Sequence, residues 1–225
     1  MLTLGIDDAA RGPLIGPMTM SGVLIDSETE KEFKQQGVKD SKQLTSMRRE
    51  ILAEVVKAKA LAYEILVVHP NEIDSSINSG TNLNTLEAMK AAEIVNKISV
   101  RVKGLEKIRV VVDCPSPNIP AWTETLKSYV KNPGKFEFVV EHKADVNHIA
   151  CSAASVIGKS EREKQIAEIK KKLGIEFGSG YPSDPVTCKF LREHSKKYQK
   201  DGIFRETWQT WKDNCSRSKQ KKLEL

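Results

Sequence analysis

Three apolar segments of this chain each deliver aspartate at or just past their ends. Asp7 and Asp8 follow Leu2 to Ile6, Asp113 follows Ile108 to Val112, and Asp145 comes after Phe136 to Val140 and opens a helix. Strand ends along one edge of a sheet are where sites assemble. Carboxylates gathered there repel one another, and burying them without a cation is costly. A divalent metal removes that cost, and an all-oxygen donor set selects the hard ions Mg²⁺ or Mn²⁺. Two such ions about 4 Å apart activate a water and stabilise the leaving oxygen of a phosphodiester. The spacing therefore suggests metal-assisted phosphoryl transfer. Taken singly, Asp113 and Asp145 read first as a turn former and a helix cap. The Asp7-Asp8 pair is less ordinary, because two adjacent acids close a strand and abut the Gly/Pro-rich stretch from Arg11 to Pro17.

The elements that must hold these residues are legible in the apolar periodicity. Leu2, Leu4 and Ile6 alternate with Thr3 and Gly5, predicting a strand that ends at Asp7. Further strands are expected at Val23 to Ile25, Leu61 to Val68, Ile108 to Val112 and Phe136 to Val140. Helices are expected over Ser46 to Ala58, with Thr45 as N-cap, over Thr81 to Val102, and as one long helix from Val146 to Leu173. After it come a loop from Gly178 to Pro185, a helix from Val186 to Tyr198, another over Thr207 to Lys212, and a Lys-rich tail. Strands with crossover helices come first and helices dominate later. That order predicts an α/β fold, a mixed sheet flanked by helices, with a helical C-terminal extension. The expected division is 1–175 for the sheet domain, 176–212 for the helical extension and 213–225 for the tail.

With 225 residues, 39% hydrophobic and 29% charged, the chain has the means for a folded core. A net charge of +6 favours a polyanionic partner without proving one. Cys114, Cys151, Cys188 and Cys215 form neither a C-x-x-C pair nor a zinc-like spacing with His, and read as thiols in a reducing compartment. Two acids interrupt the N-terminus before any long apolar run, unlike a secretory leader, and no apolar run is long enough to span a bilayer. A cytoplasmic, monomeric protein is the expectation.

The ordered motifs resemble those of type 2 ribonuclease H (ribonuclease HII). Gly5-Ile6-Asp7-Asp8-Ala9-Ala10-Arg11-Gly12-Pro13-Leu14-Ile15-Gly16-Pro17-Met18 is similar to that family's G-I-D-E-A-G-R-G-P-x-x-G-P-M. In register with it follow Lys39-Asp40-Ser41-Lys42-Gln43-Leu44, then Val111-Val112-Asp113, then His142-Lys143-Ala144-Asp145 with Ser152-Ala153-Ala154-Ser155. Gly178-Ser179-Gly180-Tyr181-Pro182-Ser183-Asp184-Pro185 and Phe204-Arg205-Glu206-Thr207-Trp208 complete the set, which extends to about Trp211 and has an archaeal or eukaryotic flavour.

The resemblance implies an RNase H-like five-stranded mixed sheet. It implies hydrolysis of the RNA strand of RNA–DNA hybrids, and of DNA at embedded ribonucleotides, leaving a 3′-hydroxyl and a 5′-phosphate. It puts Asp7, Asp8, Asp113 and Asp145 in the four-carboxylate metal site. It puts Ala10, Arg11 and Gly12 in a loop that reads the 2′-hydroxyl through backbone groups, Tyr181 as the aromatic stacking at the RNA–DNA junction, and Lys42 at the phosphate near the cut. The 2′-hydroxyl is the one group that separates RNA from DNA at a given sugar, and main-chain reading demands the close approach that glycine permits.

Two positions depart from the family pattern. Asp8 stands where Glu is usual and loses a methylene of reach. Ala10 stands where Gly is usual, and a left-handed conformation there would be strained. Two other classes compete. A pure nucleic-acid binder on this fold would gain nothing from clustered acids, and an integrase-like strand-transfer enzyme would not need the Arg11-Gly12 loop or Tyr181. In the tail, Gln220-Lys221-Lys222-Leu223 resembles the start of a sliding-clamp-binding box without its aromatic pair.

Overall fold

The computed structural model describes residues 1–38, 44–102 and 107–214. They divide into two compact units. The first comprises Met1–Ala9, Thr19–Val67 and Asn84–Glu161. The second comprises Ala10–Met18, Val68–Leu83 and the chain from Arg162 onward.

The first unit is built on a five-stranded sheet of β1 (Leu2–Ala9), β2 (Met18–Ile25), β3 (Ala62–Val68), β4 (Ile108–Asp113) and β5 (Phe136–Glu141). Their spatial order is β3-β2-β1-β4-β5. β1 pairs antiparallel with β2 and parallel with β4, and β4 pairs parallel with β5. The sheet is therefore mixed, as the alternation of strands and helices predicts. Parallel neighbours need a crossover, and between β4 and β5 it is α5 (Ile119–Tyr129), opened by Asn118, whose side chain accepts from the Ala121 N–H at 3.2 Å.

Register assigns the faces. Gly5 lies opposite Val23, and Gly22 opposite Ile6. Two of the unit's helices are α4 (Leu83–Arg101) and α7 (Ile149–Leu173), the latter continuing past Glu161 into the second unit. A Cβ on Gly22 would meet Ile94 Cγ2 of α4 at 2.3 Å, and a Cβ on Gly5 would meet the Ala150 backbone of α7 at 2.1 Å. Successive side chains of a strand point to opposite faces. The sheet is thus covered by α4 on one face and α7 on the other. On the α7 face Val23, Ile25, Ala150, Ala153 and Ile157 share one core with Phe33 of α1 (Ser27–Gln35) and Leu52 and Val56 of α2 (Ser46–Lys59). Thr45 caps α2 as expected, accepting from the Arg48 N–H at 3.3 Å. Asp26 caps α1, a helix the periodicity did not reveal.

Two expectations are corrected. β1 does not end at Asp7: it pairs on through Asp7↔Ser21, Asp8↔Met20 and Ala9↔Thr19, because β2 begins at Met18 and offers partners. The long helix after Asp145 is two helices. Residues Ala144–Asn147 form α6, His148 breaks it at φ −127 and ψ 121, and α7 starts at Ile149. Asp145 thus sits inside a short helix and is not the cap of a long one. The stretch before the Thr81 to Val102 segment, to which the periodicity assigned no element, holds α3 (Pro70–Asn78), with Pro70 at its first turn.

The second unit packs Leu14, Ile15, Phe177, Phe204 and Trp211 with Phe190, Leu191 and Tyr198 of α8 (Pro185–Tyr198). Residues 209–214 are helical. Among the described residues no helix is long and apolar enough to cross a membrane.

Candidate active site

The C-terminal edge of the first unit's sheet carries the acids. Ile6 and Val112 form the last pair between β1 and β4, so the next residues, Asp7 and Asp113, stand side by side just past that pairing. Alternation puts Asp7 on the α7 face with Gly5, and Asp113 on that same face with Val111, which packs against Ala144 and Cys151. Asp8 follows Asp7 within the strand and projects to the opposite face. Asp7 and Asp145 are each only 4% exposed.

Hydrogen bonds lock the backbone around them. The Ala144 N–H donates to Asp113 Oδ1 at 3.2 Å, tying the start of α6 to the end of β4. The Ser152 hydroxyl donates to the Asp145 carbonyl at 2.5 Å. At the end of β5, paired with Asp113, Glu141 accepts from Asn147 Nδ2 at 2.9 Å and lies 3.2 Å from His148 Nε2. Ser21 Oγ donates to the Ala154 carbonyl at 2.8 Å and Thr19 Oγ1 to the Gly158 carbonyl at 2.9 Å, fixing α7 along β2.

Electrostatics record the crowding. Burial pushes the Asp7 carboxyl well above the usual carboxylate range, and the charges of Asp8 and Asp113 push it the same way. The Ser155 hydroxyl and the Lys159 ammonium, one turn apart on α7, oppose that rise. The Cys151 thiol, donating to the Val111 carbonyl at 3.1 Å, is held up by burial first and then by the charges of Asp7, Asp113 and Asp145. One buried thiol thus feels three of the four acids named from sequence.

Among the described residues no group of three or more His, Cys, Asp or Glu side chains is drawn together tightly enough to hold a metal ion. The donor chemistry nevertheless fits a hard divalent ion. The acids offer oxygen alone, and the Cys151 sulfur beside them is kept as a neutral thiol. Sequence reasoning placed Ser155 in a motif without giving it a role and overlooked Lys159, whose signal was the i, i+4 spacing of the two on the face that carries Ser152.

The second unit holds the loop and the aromatic. Ala10 is left-handed, with φ +64. Arg205, completely buried, donates through Nη2 to the Ala10 carbonyl at 2.8 Å and through Nη1 to the Arg11 carbonyl at 2.7 Å. It also reaches the Gly16 carbonyl, from Nε at 3.2 Å and from Nη2 at 3.1 Å. Trp208 Nε1 donates to the Gly12 carbonyl at 3.3 Å. Nothing in the periodicity of the sequence singled out Arg205 for this contact.

The Gly180 carbonyl accepts from the Leu14 N–H at 2.8 Å and the Ile15 N–H at 3.2 Å. Gly180 is left-handed at φ +83, and a Cβ there would stand 2.9 Å from the Ile15 carbonyl oxygen, so only glycine fits. Tyr181 follows, 42% exposed, with Cε1 3.7 Å from where a Gly12 Cβ would stand. Asp184 braces this loop, accepting from the Ser179 N–H at 2.7 Å and the Val186 N–H at 2.9 Å. These donors, Ser179 foremost, pull its carboxyl down to about 2. The structure brings Ala10, Arg11, Gly12 and Tyr181 into one unit. Lys42 and residues 215–225 of the tail lie outside the described residues.

The ribonuclease HII family model matches residues 4–211. Ribonuclease HII of Methanocaldococcus jannaschii is 38% identical over 234 residues, covering 99% of each chain. The ribonuclease H2 of Pyrococcus horikoshii superposes with a TM-score of 0.85 at 36% identity, covering 96% of this chain and 98% of that one. A ribonuclease HII from Archaeoglobus fulgidus, solved in a complex with PCNA, superposes with a TM-score of 0.79 at 32% identity, covering 93% and 96%. Carrying an acid-edged, RNase H-like mixed sheet and matching these relatives along almost its whole length, this chain belongs to the ribonuclease HII family of metal-dependent endoribonucleases that cut RNA–DNA hybrids.

Proposed function

We propose that the protein hydrolyses the RNA strand of hybrids, and duplex DNA at single embedded ribonucleotides, through Asp7, Asp8, Asp113 and Asp145, leaving a 3′-hydroxyl and a 5′-phosphate. The observation that carries this reading is that parallel β1 and β4 release Asp7 and Asp113 at neighbouring positions on the α7 face, with the Ala144 N–H bonded to Asp113 and Asp145 next in the chain. The four acids would hold Mg²⁺ or Mn²⁺. When bound, a pair of such ions supplies an activated water and stabilises the leaving oxygen. Lys159 and Ser155 restrain Asp7 on the α7 side, offsetting part of its charge and fixing its carboxylate. Ala10, Arg11 and Gly12 offer backbone to the ribose 2′-hydroxyl, Tyr181 stacks on the neighbouring nucleotide, and Lys42 meets the phosphate next to the cut. The 176–212 extension, with α8 at its centre, presents that aromatic to the duplex.

A relative in complex with PCNA supports a sliding clamp as partner, engaged through the Gln220–Leu223 tail. We read the protein as a monomer of the cytoplasm, where its thiols stay reduced.

The test uses two substrates, an RNA–DNA hybrid and a DNA duplex with one ribonucleotide, each with Mg²⁺, with Mn²⁺ and with chelator. Cleavage of both, dependent on the ion and ending in 5′-phosphate, is the expected result. Tyr181→Ala should lower cleavage at the lone ribonucleotide, since stacking on one base contributes about 1–3 kcal/mol. Cleavage undiminished by chelator, or products ending in 3′-phosphate, would refute the mechanism.

A further inference from the structure

The Arg205 guanidinium directs all three of its nitrogens at the carbonyls of one loop. Nη2 serves Ala10 and Gly16, Nη1 serves Arg11, and Nε serves Gly16 again. Its planar fork of five donors suits such a cradle, where a lysine offers only a single point of charge. In a trans peptide the C=O and N–H point in opposite directions. Drawing the Ala10 and Arg11 carbonyls onto the guanidinium therefore turns the N–H groups of Arg11 and Gly12 away from it. Trp208 continues the pattern at the Gly12 carbonyl, and the Arg205 guanidinium lies 5.1 Å over the Trp208 ring.

The clamp is itself held from a third segment. Asp74 of α3 accepts from the Glu206 N–H at 2.7 Å, the Thr207 N–H at 3.0 Å and the Thr207 hydroxyl at 2.5 Å. Those two residues sit between Arg205 and Trp208, so one carboxylate registers both donors. The loop carries a strain that needs such a clamp, because Ala10 occupies the left-handed region without being glycine.

We propose that Arg205, braced by Asp74, is the positioning residue that aims the Arg11 and Gly12 amides at the ribose and so sets discrimination between a ribonucleotide and a deoxyribonucleotide. This rests on the loop being the reader of the 2′-hydroxyl. Arg205 touches no substrate and acts through the main chain of residues 10–16. Affinity for a duplex owes most to phosphate contacts, which do not depend on those amides.

The experiment compares the full-length parent with Arg205→Lys and Asp74→Asn. Three quantities are measured: kcat/KM on a duplex with one ribonucleotide, Kd for the same duplex with none, and hydrogen exchange at the amides of residues 11 and 12. The expected result for Arg205→Lys is a roughly tenfold or greater fall in kcat/KM, little change in Kd, and faster exchange confined to the loop. Asp74→Asn should move all three the same way by less. Unchanged kcat/KM in Arg205→Lys overturns the proposal. So does an equal loss of kcat/KM and duplex affinity with faster exchange throughout the chain, which marks a merely structural arginine. If the parent itself does not cut at a lone ribonucleotide, the functional reading of the loop fails on its own. Exchange at residues 11 and 12 then decides the clamp, and unaltered exchange in Arg205→Lys overturns it.

Discussion

Gly5 of β1 and Ala150 of α7 meet backbone to backbone: a Cβ on Gly5 would stand 2.1 Å from the Ala150 carbonyl carbon and 2.2 Å from the Cys151 nitrogen. No rotamer change relieves a clash with main chain. That approach seats α7 low enough for Ser155 and Lys159 to act on Asp7, two residues beyond Gly5. Gly5→Ala should therefore lower stability by about 3 kcal/mol or more, the upper range for overpacking, and take activity with it. Urea unfolding followed by circular dichroism measures the first, and a stability within 1 kcal/mol of the parent would show that α7 can slide.

Asp7→Asn and Asp113→Asn should each reduce cleavage by a factor on the order of 100 or more, since metal stabilisation of the transition state is worth several kcal/mol. Binding of the hybrid should persist. Asp7→Asn should also raise the melting temperature in chelator, because it removes a charge that burial and two neighbouring acids disfavour. Single-turnover rates and melts with and without Mn²⁺ check both statements.

Asp184 gives a pH signature. Its carboxyl is pulled from the ordinary 3.8 down to about 2 by N–H donors that prefer the charged form, Ser179 first. A depressed acid stabilises the fold above its unfolded value and loses that contribution as pH falls through its folded value. The melting difference between the parent and Asp184→Asn should be constant above roughly pH 5 and shrink between about pH 4 and pH 2. A difference independent of pH down to 2 would show that the charge does not matter to the loop.

Ala10→Gly should raise stability by about 1 kcal/mol, the usual cost of a left-handed non-glycine residue. It should also narrow the gap between long hybrids and single ribonucleotides, because one 2′-hydroxyl must be found by one loop whereas a continuous RNA strand offers many registers. Parallel rates on both substrates under one salt and metal condition test this, and an unchanged ratio would show that the Cβ does not touch recognition.

The acids, the order of strands and crossover helices, and the two glycine-bearing loops were legible in the amino-acid order alone. Each is a local pattern: period-2 apolar runs, caps such as Thr45, and motifs a few residues long. The same order also flagged Ala10 as a possible strain point, but left its backbone region open. Only the tertiary structure chose φ +64, because the peptide is held by a guanidinium 195 positions away in the chain. The same holds for β1, whose extension to Ala9 depends on β2 offering partners as far as Thr19. His148 splits the expected helix because Asp113 ties the start of α6 to the end of β4. Periodicity reports which face of an element is apolar. Where a buried arginine spends its donors, or which way two adjacent aspartates point, is settled by closure of distant segments against one another.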